Sequence, residues 1–248
     1  MATAKEIEDI LLSMQDANYK ETQKKFFKSG EGEYGEGDQF LGLRNPQVRL
    51  VVKEAWQITP LEEMAALVRS KWHEVRLCGL MLMSKAMEKA AKKKDNDRME
   101  SLFRLYVSLY PHINNWDLVD VSAISVCGLW EVAHPEETLM DEWIMASDGT
   151  LWQKRIAMVS TYALCRVGRY EELTRRAAAL LDTQEDLLQK ASGWMLREMG
   201  EHDGMNQLRD FLDEHVTQMP SVMLRYAIEK FPDDERRLWM RLRKEGKR

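Results

Sequence analysis

Apolar residues recur three and four positions apart along almost the whole chain, and no segment sustains a period of two between hairpin turns. That pattern predicts an all-α protein. Helix starts are marked. Pro60 precedes Leu61-Glu62-Glu63, Pro135 precedes Glu136-Glu137, and Pro232 precedes Asp233-Asp234-Glu235. Each puts proline in the first turn and carboxylates at the positive end of the helix dipole. Thr183 with Asp186 resembles a capping box, and Asn115 reads as the cap of a helix beginning at Trp116. The periodicity fails over residues 29–46, SGEGEYGEGDQFLGLRNP, where five glycines stand among few helix formers. A long loop is expected there, ordered by Tyr34 and Phe40.

Beyond the loop the pattern repeats. The segments around Trp72-His73-Glu74-Val75-Arg76, Trp116-Asp117-Leu118-Val119-Asp120, Trp152-Gln153-Lys154-Arg155 and Gln189-Lys190-Ala191-Ser192-Gly193-Trp194 recur every ~36 to 44 residues, each separated by a second amphipathic helix. This is the period of HEAT-like or armadillo-like repeats. It predicts a right-handed solenoid of antiparallel helix pairs whose concave face can take an extended ligand. No linker rich in Pro, Gly or Ser interrupts the repeats, so residues 1–248 are expected to form a single domain.

Charge and cysteine content narrow the function. A formal net charge of −5 argues by itself against a nucleic-acid partner, but the distribution is uneven. Lys92, Lys93 and Lys94 stand together, and the chain closes on RRLWMRLRKEGKR from Arg236; carboxylates gather in 31–38 and 136–148. Each cluster by itself reads first as a solvated face. Cys78, Cys127 and Cys165 are odd in number and sit in apolar stretches, as small buried side chains of a reducing compartment do. The start MATAKEIEDILLSMQ lacks the pattern of a secretory signal, and no segment is apolar for the ~18 residues of a membrane span. A soluble cytoplasmic protein is expected.

Four residues draw attention as possible chemistry. Trp116 and Asp120 are one turn apart on one helix face, Arg155 follows Trp116 by 39 residues, and Trp194 follows Arg155 by 39. If the repeats stack in register, two indoles, a carboxylate and a guanidinium share one patch. Plainer alternatives stay open: the tryptophans as core, and Asp120 with Arg155 as a structural ion pair. Other chemistry has less support. The histidines have no HExxH spacing and the cysteines no CxxC, which argues against zinc. Neither GxxxxGK[ST] nor GxSxG occurs, and the glutamates among Gly30, Gly32, Gly35 and Gly37 would repel a phosphate.

The stretches YGEGDQFLGLRNPQVR from Tyr34, HEVRLCGL from His73, NNWDLVD from Asn114, LWQKRIAMV from Leu151, KASGWMLRE from Lys190 and MLRYAIEKF from Met223 together resemble the AlkD family of DNA alkylation repair proteins. The resemblance runs through most of the chain. It implies a HEAT-like DNA glycosylase that excises cationic N3- or N7-alkylated purines, with Trp116, Asp120, Arg155 and Trp194 as its active positions. It further implies duplex DNA as the partner and catalysis without a dedicated base pocket. No cofactor or metal is expected, and the protein is expected to be a monomer. Arg44, Arg76, Lys190, Arg197 and Arg225 are the candidate phosphate contacts, and Tyr34 a contact from the loop. A non-catalytic relative that binds distorted or branched DNA is the alternative, and a protein-interaction scaffold the third.

Overall fold

The computed structural model describes residues 1–246; Lys247 and Arg248, the end of the basic C-terminal run, lie outside the described residues. The protein is all-α, and the β pairing among the described residues is one isolated bridge, Gln39 with Trp72. Two compact units divide the chain, Met1–Val126 and Cys127–Arg248. No composition shift marks the division, which falls inside a π-helical turn, Ile124–Gly128.

The first unit contains α1 (Ala4–Ser13), α2 (Ala17–Phe26), α3 (Asn45–Ala55), α4 (Leu61–Val68), α5 (His73–Lys93), α6 (Asn96–Leu109) and α7 (Trp116–Ala123). Helix α5 packs against α3 and α7 in one row, while α4 and α6 pack on its other side and on each other. The second unit contains α8 (Leu129–Ala133), α9 (Leu139–Met145), α10 (Leu151–Cys165), α11 (Glu171–Ala179), α12 (Asp186–Glu201), α13 (Met205–His215), α14 (Ser221–Ala227) and α15 (Asp233–Glu245). Here α10, α12 and α14 form one row, backed by α9, α11 and α13. Helices alternate between rows in chain order, the layering of stacked helix pairs. The repeating segments noted in the sequence fall on α5, α7, α10 and α12, all members of these rows.

Apolar burial explains why α5 and α10 lack a continuous polar stripe. Val75, Leu80, Leu82 and Met83 of α5, and Ile156, Ala157, Met158 and Val159 of α10, are all fully enclosed or nearly so. At ~25 cal/mol per Å² such burial is the main favourable term for these helices. Cys78, Cys127 and Cys165 are buried and unbridged, and burial pushes each thiol up, those of Cys78 and Cys165 to about 12. Among the described residues no helix is long and apolar enough to cross a membrane.

Most helix starts stand where the sequence puts them. Pro60 and Pro232 cap α4 and α15, and the Asn115 side chain accepts from the Trp116 N–H at 2.9 Å. Two differ. Pro135 opens only a turn, and α9 begins at Leu139 because the Glu137 carboxylate caps it instead, accepting from the Thr138 and Leu139 N–H groups and from the Trp130 indole, each at 3.0 Å. Thr183 forms no capping box with Asp186; it stands before the cap residue Glu185 and accepts that residue's N–H at 3.3 Å.

The glycine-rich segment is an ordered loop between α2 and α3. Its tightest point is Gly42, at φ +86°, where a Cβ would stand 2.0 Å from the Asp16 carbonyl oxygen. Both the left-handed backbone and the contact exclude a side chain. Gly42→Ala is therefore expected to lower the unfolding free energy by at least ~1–3 kcal/mol. Urea denaturation would measure it, and a loss under a few tenths would contradict the constraint.

Candidate active site

The loop is held by the first turn of α5, which is almost wholly enclosed. Glu74 is a buried carboxylate that accepts three consecutive backbone N–H groups, from Leu41 (2.8 Å), Gly42 (2.9 Å) and Leu43 (3.0 Å). Three donors offset the cost of burying the charge and fix the loop's exit. One residue earlier, His73 sits 1% exposed between two carboxylates, Nδ1 at 3.0 Å from Asp38 and Nε2 at 2.8 Å from Asp117. Asp38 also accepts from Arg76 at 2.6 Å and from Asn114 at 3.0 Å. The loop, α5 and the start of α7 thus share one polar node. Around it, Phe40 stacks on Phe27 with centroids 5.4 Å apart, and both rings lie 4.8 Å from the imidazole.

The node's electrostatics follow from this packing. Burial alone pulls the His73 imidazole down, but the Asp117 charge and the hydrogen bonds to Asp117 and Asp38 outweigh it and hold the pKa up at about 9. Burial pushes the Asp38 carboxyl up, but the hydrogen bond to His73 and the charges of Arg76 and His73 bring it down to about 2. A group with a raised folded pKa stabilises fully below its unfolded value, near 6.5, and that stabilisation is lost as pH rises through about 9. Asp38 acts oppositely, stabilising above 3.8 and losing this as pH falls toward 2. Unfolding free energy is therefore expected to decline between pH 6.5 and 9 in the wild type and to stay flat there in His73→Gln; parallel curves would refute the assignment.

Trp116 and Asp120 extend from this node along α7. The half-buried Trp116 ring contacts Phe26 edge-on and Phe27 at a tilt, both with centroids 5.6 Å away. Phe26 is itself 61% exposed, an aromatic beside the candidate tryptophan that the sequence does not single out. Asp120, half-buried, lines a cleft of about 420 Å³ with Arg49, Val52 and Lys53 of α3, Trp56 at its C-cap, and Met81, Ser84, Lys85 and Glu88 of α5. The carboxylate thus stands in a recess with an apolar floor, rimmed by Arg49, Lys53 and the Lys85–Glu88 ion pair.

The other two candidates belong to the second unit. Arg155, on α10, is 5% exposed, and its Nη1 donates to the Leu187 carbonyl at 2.6 Å, tying α10 to α12. Trp194 is half-buried on α12, its indole N–H fixed to Glu198 at 3.0 Å. Beneath α10, Arg176 of α11 pairs with Glu131 of α8 and donates to Asp141 of α9 at 2.7 Å and to the Ala157 carbonyl at 2.9 Å. This buried cluster fixes the helix that carries Arg155.

The candidate phosphate contacts divide by their surroundings. Arg44 is exposed at the cap of α3, its guanidinium 4.6 Å from the Tyr19 ring centre, and Arg225 is exposed on α14. Lys190 is partly exposed, with Asp186 2.6 Å away. Tyr34 lies in the loop with the Lys28 ammonium 5.9 Å from its ring. Arg76, by contrast, is buried against Asp38, and Arg197 is held between Glu198 and Glu229. The structure gives these two arginines carboxylate partners, so their charge is neutralised locally. The residues that organise the site, Asp38, His73, Glu74 and Asp117, escape a pattern search because their partners are distant in sequence. The one available signal is the run of polar types in an otherwise apolar repeat.

The family described as DNA alkylation repair enzyme matches residues 7–231. No curated protein is similar enough to match. A solved structure described as a "Predicted DNA alkylation repair enzyme from Enterococcus faecalis" is similar in fold, with a TM-score of 0.68 over 88% of this chain and 97% of that chain at 15% identity.

Proposed function

Because the chain belongs to the DNA alkylation repair enzyme family, we propose that it is a monofunctional DNA glycosylase that hydrolyses the N-glycosidic bond of cationic N3- or N7-alkylated purines, the first step of base excision repair. The observation that carries this reading is Asp120, a half-buried carboxylate in a cleft one helical turn beyond a half-exposed tryptophan. Alkylation at N3 or N7 makes the purine a cation and a good leaving group, so no general acid is needed. The sugar left behind is oxocarbenium-like, the kind of charge a carboxylate stabilises in glycoside hydrolysis. Asp120 opposes that charge and orients the water that attacks C1′. Trp116 and Trp194 face the deoxyribose and the cationic nucleotide, each contact contributing ~0.5 to 2 kcal/mol. Arg155 holds the phosphate beside the lesion.

Arg44, Lys190 and Arg225, with Tyr34, are assigned to the DNA backbone on HEAT-like repeats of a monomer; no cofactor enters the scheme. Arg76 and Arg197 are assigned to holding the loop and the segment after α14, because each is less exposed than Lys190 and pairs with a carboxylate of another element, whereas the partner of Lys190 is one turn away on its own helix. Selectivity then comes from the lability of the lesion. The test is release of free base from duplexes carrying one N7-methylguanine, one N3-methyladenine or one neutral ethenoadenine. Release of the two cationic bases, with the neutral one at background, is expected. Salt-dependent binding without release would replace the glycosylase by a protein that binds distorted DNA, and loss of all binding at moderate salt would point to a protein-interaction scaffold.

A further inference from the structure

The cleft beside Asp120 has a wall that the proposed chemistry leaves unused. Arg49, Val52, Lys53 and Trp56 occupy positions i, i+3, i+4 and i+7 of α3 and its cap, so all four line the cleft from one helix face. Arg49 and Lys53 are exposed, and among the described residues neither makes an ion pair, whereas Lys85 across the cleft is tied to Glu88 at 2.7 Å. Trp56 is half-buried behind them, with the Lys89 ammonium 5.0 Å from its ring centre. Two unpaired cations one turn apart, above an apolar floor and across from a carboxylate, suit a ligand that is anionic along its edge and cationic where it meets Asp120. A phosphodiester strand bearing an oxocarbenium-like sugar has that charge distribution. A free anion would be repelled by Asp120 and Glu88, and a simple cation by Arg49 and Lys53.

We propose that Arg49 and Lys53 form a phosphate clamp that holds the lesion-bearing strand across the α3 wall of the cleft, so that its deoxyribose is presented to Asp120. The proposal rests on the glycosylase reading for the identity of the ligand, while its own content is backbone binding by these two side chains. The clamp gives α3 a share of substrate positioning. Both residues are exposed, so neutralising them leaves the packing of α3 intact.

The experiment measures the affinity of the wild type, Arg49→Gln/Lys53→Gln and Lys92→Gln/Lys93→Gln for a duplex carrying a tetrahydrofuran abasic site, over a range of salt concentrations, together with single-turnover release of N7-methylguanine. Lys92 and Lys93 are exposed at the end of α5 in the same unit and do not line the cleft, so that variant removes equal charge elsewhere. For the clamp variant the slope of log K against log salt is expected to shrink by about 2, from two lost phosphate contacts at ~0.9 each. Base release at subsaturating enzyme should fall in proportion, and the control should match the wild type. Equal losses in both variants, or none in the clamp variant, would overturn the clamp. A wild type that binds but releases no base defeats the glycosylase reading while the salt slope still decides the clamp; a wild type that binds no duplex defeats both.

Discussion

Asp120→Asn is expected to release N7-methylguanine ~10²–10³-fold more slowly than the wild type at equal DNA occupancy, the usual cost of losing one preorganised electrostatic contact to a transition state. The substitution keeps the side chain's shape and its place in the cleft, and it removes only the charge that opposes the developing sugar cation. Ground-state binding should change little, because the carboxylate faces no positive sugar before the bond breaks. Affinity for the abasic-site duplex is therefore the control. A variant that loses binding and release together has lost the cleft rather than the catalyst. Release within threefold of the wild type would remove Asp120 from the chemistry and with it the proposed mechanism.

The second large effect is on stability. Arg176 is 1% exposed, ion-paired to Glu131 and Asp141, and bonded to the Ala157 carbonyl and to Ser160 at 3.2 Å. Arg176→Met fills similar space but leaves Glu131, itself buried, without its counter-charge. A loss of ~3–5 kcal/mol is expected, seen as a fall in Tm on the order of 10 °C. Replacing Glu131 by Met in the same chain should restore part of the loss, since removing both charges also removes the desolvation cost. A single variant within ~1 kcal/mol of the wild type would show that the cluster contributes little. Because α10 carries Arg155, the same variant should lose base release on warming before the wild type does.

Local signals in the sequence located the helices well. The three-and-four spacing of apolar residues, the prolines at 60 and 232 and the Asn115 cap were all readable, because each acts within a turn or two of its own position. Pro135 misled for a physical reason: the competing cap, Glu137, gains the Trp130 indole from the neighbouring helix. Among the candidate contacts, Arg44 and Arg225 are exposed, while Arg76 and Arg197 have carboxylate partners that spacing could not reveal.

Short-range periodicity and backbone preference are enough for the helical class, the repeat and the glycine-rich loop. How the charges are matched depends on the packing of whole helices. Asp38 meets His73 across 35 residues, Asp117 meets it across 44, and Glu131 meets Arg176 across 45. The same packing puts Arg49, Lys53 and Trp56 beside Asp120 in one cleft. A buried charge is tolerable only with a partner, and which partner is brought near depends on how whole helices pack, which no local pattern of residue types specifies.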